Sequence, residues 1–125
     1  MSQPIVYVDT STIREGRLDE LEVAMKNLAA FVEANMPRVI SYAFYLDEGR
    51  KEMTVVSVHA DSASLEFHME RSDAEFRKFA DLIDLSRIAV YGRVSDAVVE
   101  RLHGKARMLG SGAVSVHEFY GGFAC

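Results

Sequence analysis

The chain has 125 residues, of which 49% are hydrophobic and 26% are charged, and its net charge is -5 at pH 7. This length fits a single domain over residues 1–125, and the composition is too apolar for a disordered chain. Basic residues are dispersed among acidic ones, which disfavours nucleic acid as a partner because such a partner requires clustered Lys and Arg.

The sequence also carries expectations about location and redox chemistry. It has no N-terminal leader in which basic residues are followed by apolar ones, and no apolar run long enough to span a bilayer. We therefore expect a cytoplasmic protein with no membrane partner. The only cysteine, Cys125, is the last residue, which excludes an internal disulfide and the cysteine spacing of metal sites. We expect it to be an inert thiol.

The first half of the chain predicts a strand, a helix and a hairpin. Ile5–Ile13 is rich in Val, Thr and Tyr and predicts the first strand. Pro37 ends the helix that follows. Val39–Leu46 and residues 53–60 predict two strands, and residues 47–50 between them supply turn chemistry. The apolar positions of the helix recur at helical spacing: Leu18, Leu21, Met25, Leu28 and Val32.

Residues 61–79, DSASLEFHMERSDAEFRKF, predict a second helix with Asp61 or Ser62 as its N-cap. Its apolar stripe is formed by Leu65, Met69, Ser72, Phe76, Phe79 and Ile83. His68 lies on the border of this stripe, where a titratable ring can face a pocket without being buried against a sheet. The segment is therefore the most informative part of the chain for function.

The last part of the chain predicts a strand, a helix and a strand. Residues 87–94 alternate in polarity, and Ser95 can cap a third helix that extends through Leu109. Gly110 follows as a C-cap, and residues 113–120 predict the final strand.

Four residues of the third helix bear on its stability and surface. Lys105 and Arg107 fall in its last turn, where the helix dipole favours cations. Gly104 costs about 1 kcal/mol relative to Ala inside a helix. We expect His103 to face solvent.

The predicted order β-α-β-β-α-β-α-β gives an α+β fold with a ferredoxin-like, split βαβ antiparallel sheet and helices on one face. Both faces of the sheet are apolar in sequence. In the second strand one face carries Ile40, Tyr42, Phe44 and Leu46, and the other carries Val39, Ala43 and Tyr45. Only one face can meet the helices, so we expect a second copy of the sheet to cover the other face in a homodimer.

Three stretches of the sequence resemble the antibiotic biosynthesis monooxygenase family of the dimeric α+β barrel superfamily. The first is REGRLDELEVAMKNLAAFVEANMPRVISYAFYLDEGR, with a Gly-led helix, a Pro break and a strand. The second is VVSVHADSASLEFHMERSDAEFRKF, in which His68, Ser72, Phe76 and Phe79 match the family's pattern. The third is RIAVYGRV, followed by the last strand.

The resemblance implies a dimeric α+β barrel, and it implies chemistry that needs no metal or flavin, because some relatives oxidise phenols or quinols without either. Other relatives degrade haem, and some have no assigned reaction. The chain has no Trp, a residue that several of those active sites use. It also has no His between His68 and His103, which disfavours haem degradation.

His68 is the candidate catalytic residue. An imidazole titrates near pH ~6.5, so it can accept a phenolic proton and leave an anion able to pass an electron to dioxygen. The alternative is a histidine that bonds a backbone carbonyl or water at the border of the helix.

Two further histidines lie in strands. If the strands of His59 and His117 are neighbours, the two rings could meet on one face. A metal site needs three or four ligands, and no third ligand accompanies them. A structural or interface role is therefore expected, with no metal.

The candidate substrate-binding residues are Tyr7, Asp9, Phe44, Phe67, Phe76 and Phe79. Tyr7 and Asp9 share one face of the first strand, and Asp9 could orient a histidine or lie near the strand end in a salt bridge or in water. The aromatic rings could hold a flat ligand or only fill the core.

The sequence therefore supports two functions. One is a cofactor-independent monooxygenase of small aromatic or quinol-like compounds with His68 as general base. The other is a non-catalytic dimeric barrel that binds a small hydrophobic metabolite or serves a structural role. No Gly-rich phosphate loop or catalytic triad signature is present in the sequence.

Overall fold

The computed structural model describes residues 3–123 and builds them into an α+β fold. Cys125 lies outside this range. Within it, the elements are β1 (Ile5–Ile13), α1 (Leu18–Asn35), β2 (Val39–Leu46), β3 (Glu52–His59), α2 (Ser62–Arg71), α3 (Asp73–Arg77), β4 (Ile83–Tyr91), α4 (Asp96–Leu109) and β5 (Gly110–His117). None of the helices in residues 3–123 is long and apolar enough to cross a membrane.

The five strands form one mixed sheet in the order β2-β3-β1-β4-β5. The pairs β2–β3, β3–β1 and β1–β4 are antiparallel, as expected. The pair β4–β5 is parallel, which corrects the prediction of an all-antiparallel sheet. The physical reason is that α4 connects these two strands, and a crossover helix returns the chain to the same end of the sheet.

The helices cover one face of the sheet, and the core lies between the two layers. In β1, Ile5, Tyr7 and Asp9 alternate towards the helices and are buried, while Val6 and Val8 face the other way and are only half-buried. The same alternation runs through β3. The sheet therefore has a covered face and an uncovered face, and both carry apolar side chains.

The first two strands have the predicted bounds, and the hairpin between β2 and β3 is confirmed. The Asp47 carboxylate closes its turn by accepting hydrogen bonds from the backbone N–H groups of Lys51 at 2.7 Å and Glu52 at 2.8 Å. Arg50 adopts a positive φ of 57° in this turn.

The segment after β3 is not one helix, which corrects the prediction for residues 61–79. The Asp61 cap is confirmed, since its side chain accepts a hydrogen bond from Ser64 N–H at 2.8 Å. The chain then breaks at Ser72, which has φ -93° and ψ 0°. Its backbone ends α2 by donating to His68 O and begins α3 by accepting from Phe76 N–H. The apolar stripe continues across this break, so its spacing did not reveal it.

The fourth strand spans Ile83–Tyr91 rather than residues 87–94, and Ile83 belongs to this strand instead of the preceding helix. The register of β4 against β1 shifts between Thr10 and Ser11. Ile83 and Ile88 both face the helices although they are an odd number of residues apart, so strict alternation in sequence fails here.

The last helix begins as predicted, because the Ser95 hydroxyl accepts a hydrogen bond from Val98 N–H at 3.2 Å. Gly110 does not adopt a left-handed C-cap: its φ is 169°, and it begins β5 directly. The final strand is therefore Gly110–His117 rather than residues 113–120. A Cβ atom at Gly110 would lie 2.5 Å from Leu85 O, so the glycine permits this close approach of two strands.

Candidate functional site

A small cavity lies between the helix-covered face of the sheet and helices α3 and α4. It encloses about 20 Å³ of space that a water molecule can occupy. Six side chains matter for its chemistry: Asp9, Tyr42, Phe44, Phe76, Phe79 and Lys105. Four of these, Asp9, Phe44, Phe76 and Phe79, were predicted to bind substrate, and the fold brings them together from β1, β2 and α3 and the turn after it.

Three polar side chains form a buried cluster at this cavity. The Tyr7 hydroxyl donates a hydrogen bond of 2.5 Å to Asp9 Oδ2. Lys105 Nζ donates to the Tyr7 hydroxyl at 2.8 Å and lies 3.4 Å from the same Asp9 oxygen. The other carboxylate oxygen, Asp9 Oδ1, is buried and has no hydrogen-bond partner within residues 3–123. The cluster therefore presents one unsatisfied acceptor.

Burial sets the ionisation of this cluster. It lowers the pKa of the Lys105 ammonium, and the Asp9 carboxylate opposes this shift by favouring the charged form. Burial also raises the pKa of the Tyr7 phenol well above its usual value, and Asp9 raises it further through its charge and hydrogen bond. Tyr7 therefore remains a protonated donor at neutral pH.

Asp9 lies in the middle of β1 and only 3% of its surface is exposed. This corrects the alternative that placed it near a strand end in water, while the salt bridge in that alternative is present. Tyr7 was predicted to bind substrate, but its hydroxyl is already engaged by Asp9 and Lys105.

Sequence reasoning missed Lys105 as a site residue because it was assigned to the helix dipole. A signal for its burial does exist: Val98, Leu102, Ala106 and Leu109 recur at helical spacing and are buried, and Lys105 lies inside that stripe. A lysine at such a position needs a buried partner, and only the fold shows that the partner comes from β1.

His68 lies beside the cavity, behind the rings of Tyr42 and Phe76. Its ring centroid is 5.1 Å from that of Tyr42 and 5.6 Å from that of Phe76. Nδ1 lies 3.1 Å from the Met36 sulfur and 3.3 Å from the Ser72 hydroxyl. Only 3% of the residue is exposed, which corrects the expectation of a border histidine that escapes burial.

The His68 imidazole is neutral at pH 7. Burial lowers its pKa to about 2, with smaller contributions from Lys105 and His59. Burial also lowers the pKa of His59 to about 4, and Lys105 adds to this shift. Both rings are therefore in the form that can accept a proton, but both hold a proton more weakly than a free imidazole does.

His59 and His117 do not meet, because β3 and β5 are not neighbours in the sheet. His59 faces the helices, where its centroid is 5.2 Å from that of His68 and its Nε2 lies 2.8 Å from the Ser57 hydroxyl. His117 lies on the opposite face, stacked on Tyr91 at 4.6 Å. In the described part of the chain, no three His, Cys, Asp or Glu side chains are grouped to hold a metal ion.

Aromatic side chains form one wall of the cavity. Phe44 and Phe79 stack with their centroids 6.3 Å apart, and Tyr42 meets Phe44 edge-on at 5.5 Å. Phe67 is not part of this wall. It is 41% exposed, lines a separate surface pocket and lies under the Arg71 guanidinium at 4.9 Å, which separates it from the other predicted substrate-binding residues.

Comparisons with known proteins identify solved structures with the same fold. MupZ from Pseudomonas fluorescens is 15% identical with a TM-score of 0.75, and the match covers 98% of this chain and 95% of MupZ. SnoaB, a cofactor-independent oxygenase from Streptomyces nogalater, is 13% identical with a TM-score of 0.63, covering 75% of this chain and 96% of SnoaB. A candidate antibiotic biosynthesis monooxygenase from Bacteroides thetaiotaomicron is 20% identical with a TM-score of 0.56, covering 66% and 85%.

No protein-family model matches the sequence, and no curated protein is significantly similar to it. At these identities the likeness shows the fold: the chain folds as the antibiotic biosynthesis monooxygenase-like proteins do, which confirms the ferredoxin-like α+β fold of the single chain that the sequence resemblance implied.

Proposed function

We propose that the protein is a cofactor-independent monooxygenase of small aromatic or quinol-like compounds. The observation that carries the proposal is the cavity itself, in which a buried carboxylate with one free oxygen lies beside an ammonium group and aromatic rings. Once it opens far enough to admit an aromatic ring, such a site can hold a phenol, remove its proton and stabilise the anion away from water. The structural likeness to a cofactor-independent oxygenase supports the same chemistry.

The reaction needs no external reductant. A phenol or quinol with an unsubstituted ring carbon ortho or para to its hydroxyl loses the phenolic proton to the protein and becomes an electron-rich anion. The anion reduces dioxygen, one oxygen atom becomes a carbonyl on that carbon, and the other leaves as water. The substrate supplies all the electrons, so the protein must supply a proton acceptor and a dry cavity.

His68 is the proton acceptor in this proposal. Its neutral imidazole packs against the rings of Tyr42 and Phe76, which separate it from the cavity, so this role requires one of these rings to move aside when the substrate binds. A pKa of about 2 makes the protonated ring far more acidic than a phenol, whose pKa is about 10. The proton can therefore stay on His68 only while the new anion lies beside it and offsets the cost of burying the charge.

Oxygen uptake with a panel of hydroquinones and polycyclic phenols tests this function. We expect uptake above the spontaneous rate, and we expect His68→Ala to lower it by about 10² because general-base catalysis typically contributes this factor. His103→Ala, at an exposed position on α4, is the matched control and should keep the wild-type rate. Unchanged uptake in His68→Ala would remove His68 from the mechanism.

The size of the cavity favours a second function. About 20 Å³ accommodates a water molecule but no aromatic ring, and the rings of Phe44, Phe76 and Phe79 already occupy the walls of this cavity. A barrel packed in this way could bind a small hydrophobic metabolite after opening, or serve only a structural role. No uptake by the wild-type protein across the whole panel would favour this non-catalytic function.

We also propose a homodimer formed through the uncovered face of the sheet. Val6, Val8, Val56 and Val58 lie on this face and are only half-buried, and Tyr45 and Tyr91 are exposed on it. Five strands about 4.8 Å apart and about 26 Å long span roughly 600 Å². Side chains project from the sheet, so the accessible area of this face is larger than its flat area. It is therefore close to the roughly 800 Å² that each partner buries in a stable complex.

A further inference from the structure

We propose that a cleft beside α4 and the interior cavity form one binding site, in which a hydroxyl-bearing aromatic ligand places its hydroxyl between Asp9 Oδ1 and Lys105 Nζ. This inference rests on the proposed function only for the assumption that the ligand is aromatic. The location, the entry route and the requirement for a hydroxyl follow from the geometry, and they hold for an enzyme and for a binding protein alike.

The cleft lies between α4 and the α2–α3 segment and has a volume of about 290 Å³. Met69, Phe76, Gly104, Lys105 and Met108 line its inner part, and the charged side chains of Asp73, Arg77 and Arg101 complete its lining. An apolar cavity of ~150 Å³ is sufficient for benzene, so this cleft has room for a ring where the interior cavity has none. The two spaces share Phe76 and Lys105 in their walls.

These two shared side chains are the partition between cleft and cavity. Lys105 Nζ lies 3.9 Å from the centre of the Phe76 ring, in a cation–π contact. Both side chains can change rotamer, and they are the two residues that the linings of the cleft and the cavity have in common. A change of rotamer at Phe76, with Lys105 held by Tyr7 and Asp9, would join the two spaces without moving a helix.

The polar atoms at this partition match one functional group. Asp9 Oδ1 is buried without a hydrogen-bond partner among the residues that the structure describes, so no protein group in this range donates to it. Lys105 directs two of its three N–H bonds at Tyr7 and Asp9 Oδ2 and has one left. A hydroxyl group donates and accepts at the same oxygen, so it satisfies both. A carboxylate ligand has no donor for Asp9 Oδ1 and would place a second negative charge beside it, so a hydroxyl matches the pair better.

Binding of 2-naphthol, compared with 2-methylnaphthalene, tests the hydroxyl requirement. The two probes have nearly the same shape, and their fluorescence reports binding directly. We expect the wild-type protein to bind 2-naphthol at least tenfold more tightly, because the methyl group leaves Asp9 Oδ1 unpaired. Equal affinity for the two probes, or no binding of 2-naphthol at millimolar concentration, would overturn the proposal.

Variants at Asp9 and Lys105 distinguish the role of this pair in binding from its role in the stability of the fold. Lys105→Met alone leaves the Asp9 carboxylate without its cation and could unfold the protein, so the double variant Asp9→Asn/Lys105→Met is the one to use. Circular dichroism checks its folding. We expect this variant to lose most of the preference for 2-naphthol while it keeps its affinity for 2-methylnaphthalene. An unchanged preference would contradict the assigned contacts.

The entry route is tested at Gly104, where a Cβ atom added to the glycine would have no other atom within 4 Å. Gly104→Leu fills the cleft, so we expect it to weaken binding of both probes at least tenfold. His103→Leu adds the same side chain to an exposed position of the same helix and should bind both as the wild type does. Normal binding in Gly104→Leu would show that the cleft is not the route.

These binding measurements are independent of oxygen uptake. A protein that binds 2-naphthol with the expected preference but consumes no oxygen supports this inference and contradicts the proposed monooxygenase. A protein that consumes oxygen with quinols but does not distinguish the two probes supports the proposed function and contradicts the placement of the hydroxyl.

Discussion

Burial of ionisable side chains is the dominant physical feature at the scale of single residues. His59, His68 and Lys105 bring three nitrogen bases into one interior, where water cannot screen their charges. The fold resolves this by keeping both imidazoles neutral and by pairing the lysine with Asp9. Among residues 3–123, the interior thus holds one buried ion pair rather than several isolated charges.

This arrangement predicts the pH dependence of stability. The pKa of His59 is lowered to about 4 and that of His68 to about 2, whereas both are near 6.5 in the unfolded chain. As the pH falls below 6.5, the unfolded chain binds protons that the folded chain does not, so stability falls. Between about pH 7.5 and about pH 5.5 we expect each histidine to account for a loss of about 1.4 kcal/mol, measured by urea unfolding.

Single replacements check this assignment. His59→Gln and His68→Gln should each remove the contribution of one histidine to the loss of stability between about pH 7.5 and about pH 5.5. The double variant should remove both contributions. The comparison uses the change with pH within each variant, so a general destabilisation by the substitution cancels. A wild-type pH dependence in both single variants would show that these rings do not titrate as described.

The residues of the site were predicted from the sequence in part. The parity of β1 and the stripe of the central segment placed Asp9, Phe76 and Phe79 on inward faces, and the fold brings them together. Lys105 could not be connected to Asp9, because a periodic pattern reports the face of its own element and not which element packs against it. The contact joins residues 96 positions apart in the chain.

At the scale of elements, the junction between α4 and β5 is the most constrained point. The helix ends at Leu109, and Gly110 is already paired with Leu85 of the neighbouring strand. No loop separates the two elements, so the position of α4 over the sheet is fixed by the same residues that begin the parallel strand. Because Lys105 lies one turn before this junction, the junction also positions its ammonium group.

Glycine replacements test this junction. A Cβ atom at Gly110 would lie 2.5 Å from Leu85 O and 2.6 Å from Leu85 N, both in the backbone, so Gly110→Ala must push β4 and β5 apart. We expect a loss of about 1–3 kcal/mol in the free energy of unfolding, the usual cost of overpacking. Gly104→Ala meets no atom within 4 Å in α4 and should instead stabilise by about 0.5–1 kcal/mol. Equal effects at the two positions would contradict this account.

Elements with one simple period were predicted well, and elements with a local irregularity were not. β1 and β2 have their predicted bounds, and α4 begins at its predicted cap. The break at Ser72 was missed because the apolar spacing is continuous across it. The start of β4 was misplaced because the register shift opposite Thr10 and Ser11 interrupts alternation.

At the scale of the whole molecule, the uncovered face of the sheet is the surface through which we propose that two copies associate. The helices cannot cover both faces of a five-stranded sheet, and the face that they leave is lined by valines and tyrosines. An apolar area of this size in water is unfavourable, so association through this face would stabilise the fold as well as the assembly.

A charge on this face tests the proposed homodimer. Val8 lies on the central strand β1, opposite Val56 of β3 and Ala89 of β4. We expect the wild-type protein to sediment as a dimer at micromolar concentration and Val8→Glu to sediment as a monomer, because the carboxylate would be desolvated in the interface. Val23→Glu, at a 59% exposed position on α1, is the matched control and should remain a dimer. A monomeric wild type would overturn the proposal.

The smallness of the interior cavity has a consequence for how tightly any ligand can be held. If an aromatic ring binds only after Phe76 and Lys105 part, the measured affinity equals the intrinsic affinity multiplied by the fraction of molecules that are open. The contact between Phe76 and Lys105 then stabilises the closed protein and at the same time lowers its affinity for the ligand. A substitution that makes this interior more compact would give a more stable protein and a weaker binder, even if it touches no atom of the ligand.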